Sequence, residues 1–139
     1  MRLEIGLTGD LEACLAIRRV VFIEEQGVSL ADEVDGRDGE AEHLLALLDG
    51  APVGTARMLV DGETGKIGRV AVLAGARGRG IGAALIRAAV ERLRERGLKV
   101  AKLGAQTHAV GFYEGLGFTA FGPVYEDAGI PHRDMKLGL

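Results

Sequence analysis

The chain carries one cysteine, Cys14, and one serine, Ser29, in 139 residues. A lone cysteine excludes an intramolecular disulfide and a cysteine-rich zinc site, and no metal ligand set is expected. Ser29 lacks the G-x-S-x-G setting of an activated serine. Cys14 falls among helical apolar residues, where a thiol packs as a small hydrophobe. A covalent intermediate on either side chain is therefore not expected. There is no N-terminal signal pattern and no apolar run long enough to span a bilayer, so a cytoplasmic protein with no membrane partner is expected. An excess of one charge is also missing. Seventeen basic and 20 acidic residues leave a net charge of −3, which argues against nucleic-acid binding driven by bulk charge. No linker, repeat or low-complexity tract interrupts the chain.

What remains is globular: 47% of residues are apolar and 27% charged, enough for one domain over residues 1–139 with one sizeable core. Arg2 to Gly6 reads as a strand. Thr8 or Asp10 can cap a helix running through Leu11, Leu15, Ile17, Val21 and Phe22 towards Gln26. The stretch from Gly27 to Gly39 is polar and acidic, with Asp32, Glu33, Asp35 and Asp38. It reads as a solvated loop or as one facing a substrate. His43 to Leu48 is a strand, Asp49-Gly50 a hairpin turn, and Val53 to Val60 the returning strand. Asp61-Gly62 turns into a third strand ending at Leu73. Lys99 to Gln106 is a further strand, and a short helix follows, closed by Gly117. A strand pair around a loop at Glu126 to Pro131 ends the chain. The order β-α-β-β-β-α-β-α-β-β predicts an α/β domain, a mixed central sheet with helices on both faces.

The segment from Lys66 to Gly97 is the most informative. Val70, Ala71, Val72 and Leu73 form a short buried-strand run, and the turn Arg77-Gly78-Arg79-Gly80-Ile81-Gly82 follows. Ile81, Ala84, Leu85, Ala88, Ala89 and Leu93 then keep helical spacing, Arg87 and Glu91 lie one turn apart on the polar face, and Gly97 supplies the stop. A helix starting at a glycine turn presents free N–H groups and the positive end of its dipole, which makes an anion site that suits a diphosphate. A P-loop does not fit, because the Gly65-Lys66 pair is followed by Ile67. A G-x-G-x-x-G dinucleotide turn does not fit either, since the glycines fall at 78, 80 and 82.

The turn does fit R-x-x-G-x-G from Arg77 to Gly82, and about thirty residues later comes Phe112-Tyr113-Glu114-Gly115-Leu116-Gly117-Phe118. The first resembles the acetyl-CoA pyrophosphate loop of the GNAT superfamily of N-acetyltransferases, the second its F-Y-x-x-x-G-F signature. The two lie in the family's order and spacing. Phe22 to Gln26, Glu33 to Asp38, His43 to Ala46, Ala105-Gln106 and Gly129 to His132 further resemble the ElaA-like subgroup.

The resemblance implies a single-domain GNAT fold that moves an acetyl group from acetyl-CoA directly to a small amine, with a homodimer as a common assembly. The main chain of Val70, Ala71 and Val72 would serve the pantetheine arm and the thioester. The backbone of Arg77, Gly78, Arg79, Gly80, Ile81, Gly82 and Ala83 would hold the diphosphate, with the Arg77 and Arg79 side chains near phosphates. Phe112 and Tyr113 would border the cofactor, and Tyr113 matches the tyrosine that protonates the leaving thiolate. Gln106 stands where many relatives carry an Asn. Many relatives carry a basic Glu on the strand from Lys66 to Leu73, which here offers Lys66 and Arg69 instead. Candidates for a general base elsewhere are Glu24, Glu25, His43, Glu126, Asp127 and His132. Arg57 and Arg69, on neighbouring strands, would favour an anionic acceptor if both face the cleft; pairing with Asp or Glu is the other reading. A CoA-binding sensor without turnover and a peptide acetyltransferase are the alternative functions.

Overall fold

The structure is a computed structural model that describes residues 2–139. Seven strands form one mixed sheet in the order β1-β2-β3-β4-β5-β7-β6. They are β1 (Leu3–Thr8), β2 (Glu42–Leu48), β3 (Ala51–Asp61), β4 (Thr64–Val72), β5 (Val100–Gln106), β6 (Thr119–Asp127) and β7 (Ile130–Gly138). The helices are α1 (Leu11–Arg18), α2 (Leu30–Glu33), α3 (Ile81–Glu95) and α4 (Val110–Glu114). Among the described residues no helix is long and apolar enough to cross a membrane.

Alternation along β2 separates the two faces. Leu44 and Ala46 join the α3 core, while Leu45 between them packs with Ile17 and Val21 of the α1 side. The β2–β3 hairpin turns at Asp49 and Gly50, with φ of 51° and 83°, the left-handed pair that suits the right-handed twist of its strands. Helix α3 buries Ile81, Leu85, Ile86, Ala89, Val90 and Leu93. The buried stripe is displaced from the expected one: Ile86 and Val90 enter it, and Ala84 and Ala88 sit at its margin. Helix and sheet meet closely at Gly65, where a Cβ would stand 2.5 Å from a Leu93 methyl group.

Two departures from the expected elements shape the site. The first helix is not α-helical to Gln26. Asp10 caps it by accepting from the Ala13 N–H at 3.1 Å, but from Arg19 to Glu25 it widens into a π-helix. The second departure is in β4. Arg57 pairs with Gly68 and Thr55 with Ala71, so Arg69 and Val70 together oppose the single residue Ala56. This is a β-bulge, and Arg69 sits in it with φ of 52°, a left-handed conformation uncommon for a residue with a side chain. The strand bends there. β4 pairs with β5, in parallel, only from Thr64–Lys66 to Val100–Lys102. Beyond those residues the two strands separate, and β5 continues its ladder with β7 alone.

Leu93 has no exposed surface and fills the contact between α3 and Gly65. Leu93→Ala is expected to lower the unfolding free energy by about 2–5 kcal/mol, read from urea denaturation with an unchanged slope.

Candidate active site

The glycine turn leads into α3 with no side chain capping it. Gly78 and Gly80 have φ of 78° and 76°, and Gly80 is the N-cap. A Cβ on either would meet nothing within 4 Å, so conformation rather than crowding requires glycine here. The Ala84 N–H bonds the Gly80 carbonyl at 3.0 Å. The N–H groups of Ile81, Gly82 and Ala83 precede that bond and have no carbonyl to reach within the helix. A 15-residue helix adds the positive end of its dipole at the same point. Arg77 does not extend outwards. Its Nε donates to the Val72 carbonyl at 2.9 Å and its Nη2 to Glu25 at 2.6 Å.

Where β4 and β5 part, a cavity of about 480 Å³ opens. Its walls come from Ile67 to Val70 on β4 and from Leu103, Gly104 and Gln106 on β5. α4 contributes Tyr113, the β6–β7 hairpin Tyr125, Asp127 and His132, and the α1–α2 side Phe22 and Gln26. Val70, Gln106 and Tyr113 thus converge on one space. Ala71 does not join them; it is buried against Ile17 and Val21 on the α1 face. Val72 ends the strand, half-buried. Phe112 packs edge-on against Tyr113 at 5.0 Å and stands 3.8 Å from where a Gly82 Cβ would be, so α4 leans on the first turn of α3. Burial pushes the Tyr113 phenol above its ordinary pKa.

Of the six base candidates, Asp127 and His132 line the cavity. His132 Nδ1 lies 2.7 Å from the Ile130 carbonyl. A carbonyl only accepts, so Nδ1 carries the proton and, in the neutral ring, Nε2 keeps its lone pair. Glu24 and Glu126 are exposed and line no part of the cavity. Glu25 is not a free, solvated helix end, since it holds Arg77. His43 is buried outside the cavity, with Nε2 3.0 Å from the Asp38 carbonyl oxygen.

The acidic segment is not a solvated loop. Ser29 caps α2, and Glu33, 4% exposed, pairs with Arg18, 1% exposed. Arg18 also reaches Asp38 at 2.7 Å. Asp35 receives Arg57 in a two-pronged bond of 2.9 and 2.7 Å, and Asp38 takes a third Arg57 contact at 3.1 Å. Arg69 donates to the carbonyls of Asp32 and Glu33 at 3.3 and 3.0 Å. Both arginines border the cavity, yet Arg57 is spent on Asp35 and Asp38. The expectation of an arginine pair held open for an anionic acceptor is therefore replaced by internal pairing, which builds the cavity wall. Arg57 holds the Asp35 carboxyl well below its ordinary value, against the opposing effect of burial. Burial alone would raise Asp38, but Arg18 and Arg57 outweigh it and hold that carboxyl low as well.

Sequence reading missed Arg18 and Tyr125. The one signal for Arg18 was a charge on the apolar stripe of Cys14, Ile17 and Val21. The Tyr125 hydroxyl donates to Asp134 at 2.7 Å, its ring stacks on His132, and it lies so close to β5 that a Cβ on Gly104 would stand 2.5 Å from its oxygen. Burial and then the Asp134 carboxylate push its pKa upward.

Comparison with known proteins identifies the family and the fold. The family described as the acetyltransferase (GNAT) domain matches residues 20–139. YyaT of Bacillus subtilis is 41% identical over 131 residues, covering 92% of this chain and 88% of its own. ElaA of Escherichia coli is 37% identical over 132 residues, covering 91% of this chain and 86% of its own. The ElaA crystal structure superimposes with a TM-score of 0.86 over 97% of this chain and 99% of its own, at 32% identity. An acyl-CoA N-acyltransferase from Pseudomonas aeruginosa gives 0.87 over the same shares, at 33% identity.

The lowered carboxyls fix the acid side of the stability profile. Asp35 and Asp38 titrate in the folded chain below their ordinary 3.8. The stability they contribute is full above about pH 4 and is lost as pH falls from there towards the folded values. The urea midpoint should hold between pH 7 and 5 and fall below pH 4, less steeply in Asp38→Asn. A midpoint indifferent to acid would contradict this.

Proposed function

The chain belongs to the GNAT acetyltransferase family, and we propose that it transfers an acetyl group in the cytoplasm from acetyl-CoA directly to the primary amine of a small molecule. The observation that carries this reading is the run from an uncapped glycine turn, along a bulged β4, into a gap that β5 leaves open. The residues present fit the co-substrate. The N–H groups of Ile81, Gly82 and Ala83, which have no carbonyl to reach within α3, suit a diphosphate, and the gap beside Val70, Gln106 and Tyr113 suits a thin, flexible arm. Phe112, at the junction of α4 with the turn, would line its path, and the main chain of Val70 to Val72 would meet the arm and the thioester.

Bound acetyl-CoA supplies an already activated thioester. The chain's own work is then to orient, to move two protons and to keep water away. Tyr113 holds a proton for the leaving thiolate; its raised pKa keeps the phenol protonated through the neutral range. His132 receives the amine proton at Nε2, because the Ile130 carbonyl engages Nδ1. Asp127, on the same hairpin, lines the side from which a cationic acceptor would approach. No covalent step is assigned to Cys14, which has no exposed surface and whose thiol pKa burial raises.

Free-thiol release in the presence of a panel of primary amines tests the reading. Tyr113→Phe should lower kcat by about 10²-fold with the acetyl-CoA Kd unchanged, and His132→Ala should lower kcat/KM for the amine by a similar factor. A Tyr113→Phe enzyme at full rate would remove the acid role, and wild-type protein that releases no thiol with any amine would contradict the transferase reading.

A further inference from the structure

The end of the π-helical segment straddles the gap. Two consecutive side chains leave it in different directions. Glu25 accepts from Arg77 Nη2 at 2.6 Å, in the turn that follows β4, and Gln26 Oε1 accepts from Gln106 Nε2 at 2.9 Å, on the last residue of β5. No ladder bond joins β4 to β5 beyond Lys66 and Lys102, so this pair of contacts clasps the two lips of an otherwise open cleft. The π-helix makes the clasp possible. Its i→i+5 bonds, such as the Gln26 N–H to the Val21 carbonyl at 3.2 Å, change the angular phase of the last turn while Ile17 and Val21 stay on the sheet.

The clasp is chemically unfinished. After donating once, Gln106 keeps its carbonyl oxygen; after accepting once, Gln26 keeps both N–H donors of its amide. Both side chains line the cavity. A free donor beside a free acceptor can meet the carbonyl of one amide and the N–H of another along an extended chain, and the pantetheine arm of CoA carries two secondary amides. We propose that Gln26 is a CoA-binding residue, which donates from its side-chain amide to a pantetheine carbonyl while Gln106 accepts from the N–H of the same arm. The inference rests on the CoA-dependent reading above and adds a contact from the end of the π-helical segment.

Calorimetric titration with two ligands tests it: CoA, and adenosine 3′,5′-bisphosphate, which has the nucleotide end and no pantetheine arm. Gln26→Met and Gln26→Ala should each raise the CoA Kd about three- to tenfold, the loss of one neutral hydrogen bond, and leave the Kd of the bisphosphate unchanged. In nitrogen-resolved spectra the Gln26 side-chain amide resonances should shift with CoA and stay in place with the bisphosphate. An unchanged CoA Kd in both variants would overturn the proposal. So would an equal weakening of both ligands, which would mean that Gln26 acts through the fold. Wild-type protein that binds neither ligand would overturn the CoA-dependent function itself, an outcome distinct from the first two.

Discussion

Two neighbouring parallel strands that stop hydrogen-bonding after three residue pairs leave backbone groups without partners, and much of this molecule follows from how that is managed. The bulge at Arg69 and Val70 bends β4 away from β5 beyond Lys66. An unpaired strand edge inside a sheet would ordinarily be costly or prone to mispairing. Here the parted edges form the walls of a cavity, where a ligand with amides and carbonyls can satisfy them. The left-handed Arg69 carries strain of order 1–3 kcal/mol, and contacts on both sides hold it in place. Its side chain is pinned by the carbonyls of Asp32 and Glu33, and that segment is pinned in turn by buried Arg18. The ion-pair network therefore sets the shape of the cleft as well as contributing to stability. A buried pair of this kind costs desolvation to assemble and is most costly to break from one side.

At the other end of the cleft the physics is that of a helix terminus. α3 begins at Gly80 with no side chain answering its first N–H groups, although α1 and α2 are both capped, by Asp10 and Ser29. α4 also starts uncapped, and its Phe112 stands against the first turn of α3. Arg77 folds back under the turn, with its guanidinium on the Val72 carbonyl and Glu25, so its side chain braces the turn.

The sequence-legible parts are those whose requirements are local. The order of elements, the glycine turn and α3 follow from periodicity and from glycine's tolerance of positive φ. Arg-x-x-Gly-x-Gly and Phe-Tyr-x-x-x-Gly-Phe place the turn and α4 thirty residues apart, as they stand. The bulge was not legible: an arginine with φ of 52° carries no signature in residue type. The π-helix was not legible either, because no residue type in Arg19 to Glu25 separates i→i+5 bonding from the ordinary i→i+4 ladder. The pairing inside the acidic segment was not legible because the partners of Glu33, Asp35 and Asp38 lie on α1 and β3, 15 to 22 residues away. Gly104 shows the same limit. Its lack of a side chain is explained only once Tyr125 is brought against it from another strand.

A crystal structure of the protein with acetyl-CoA tests the central claim most directly, that the parted strands and the uncapped turn form one continuous binding track. The account predicts the diphosphate at the glycine turn on the N–H groups of Ile81 to Ala83, the arm between β4 and β5 with its thioester beside Val70, and the sulfur within hydrogen-bonding reach of the Tyr113 hydroxyl. A complex with the diphosphate away from the turn, or with the arm outside the gap, would contradict it.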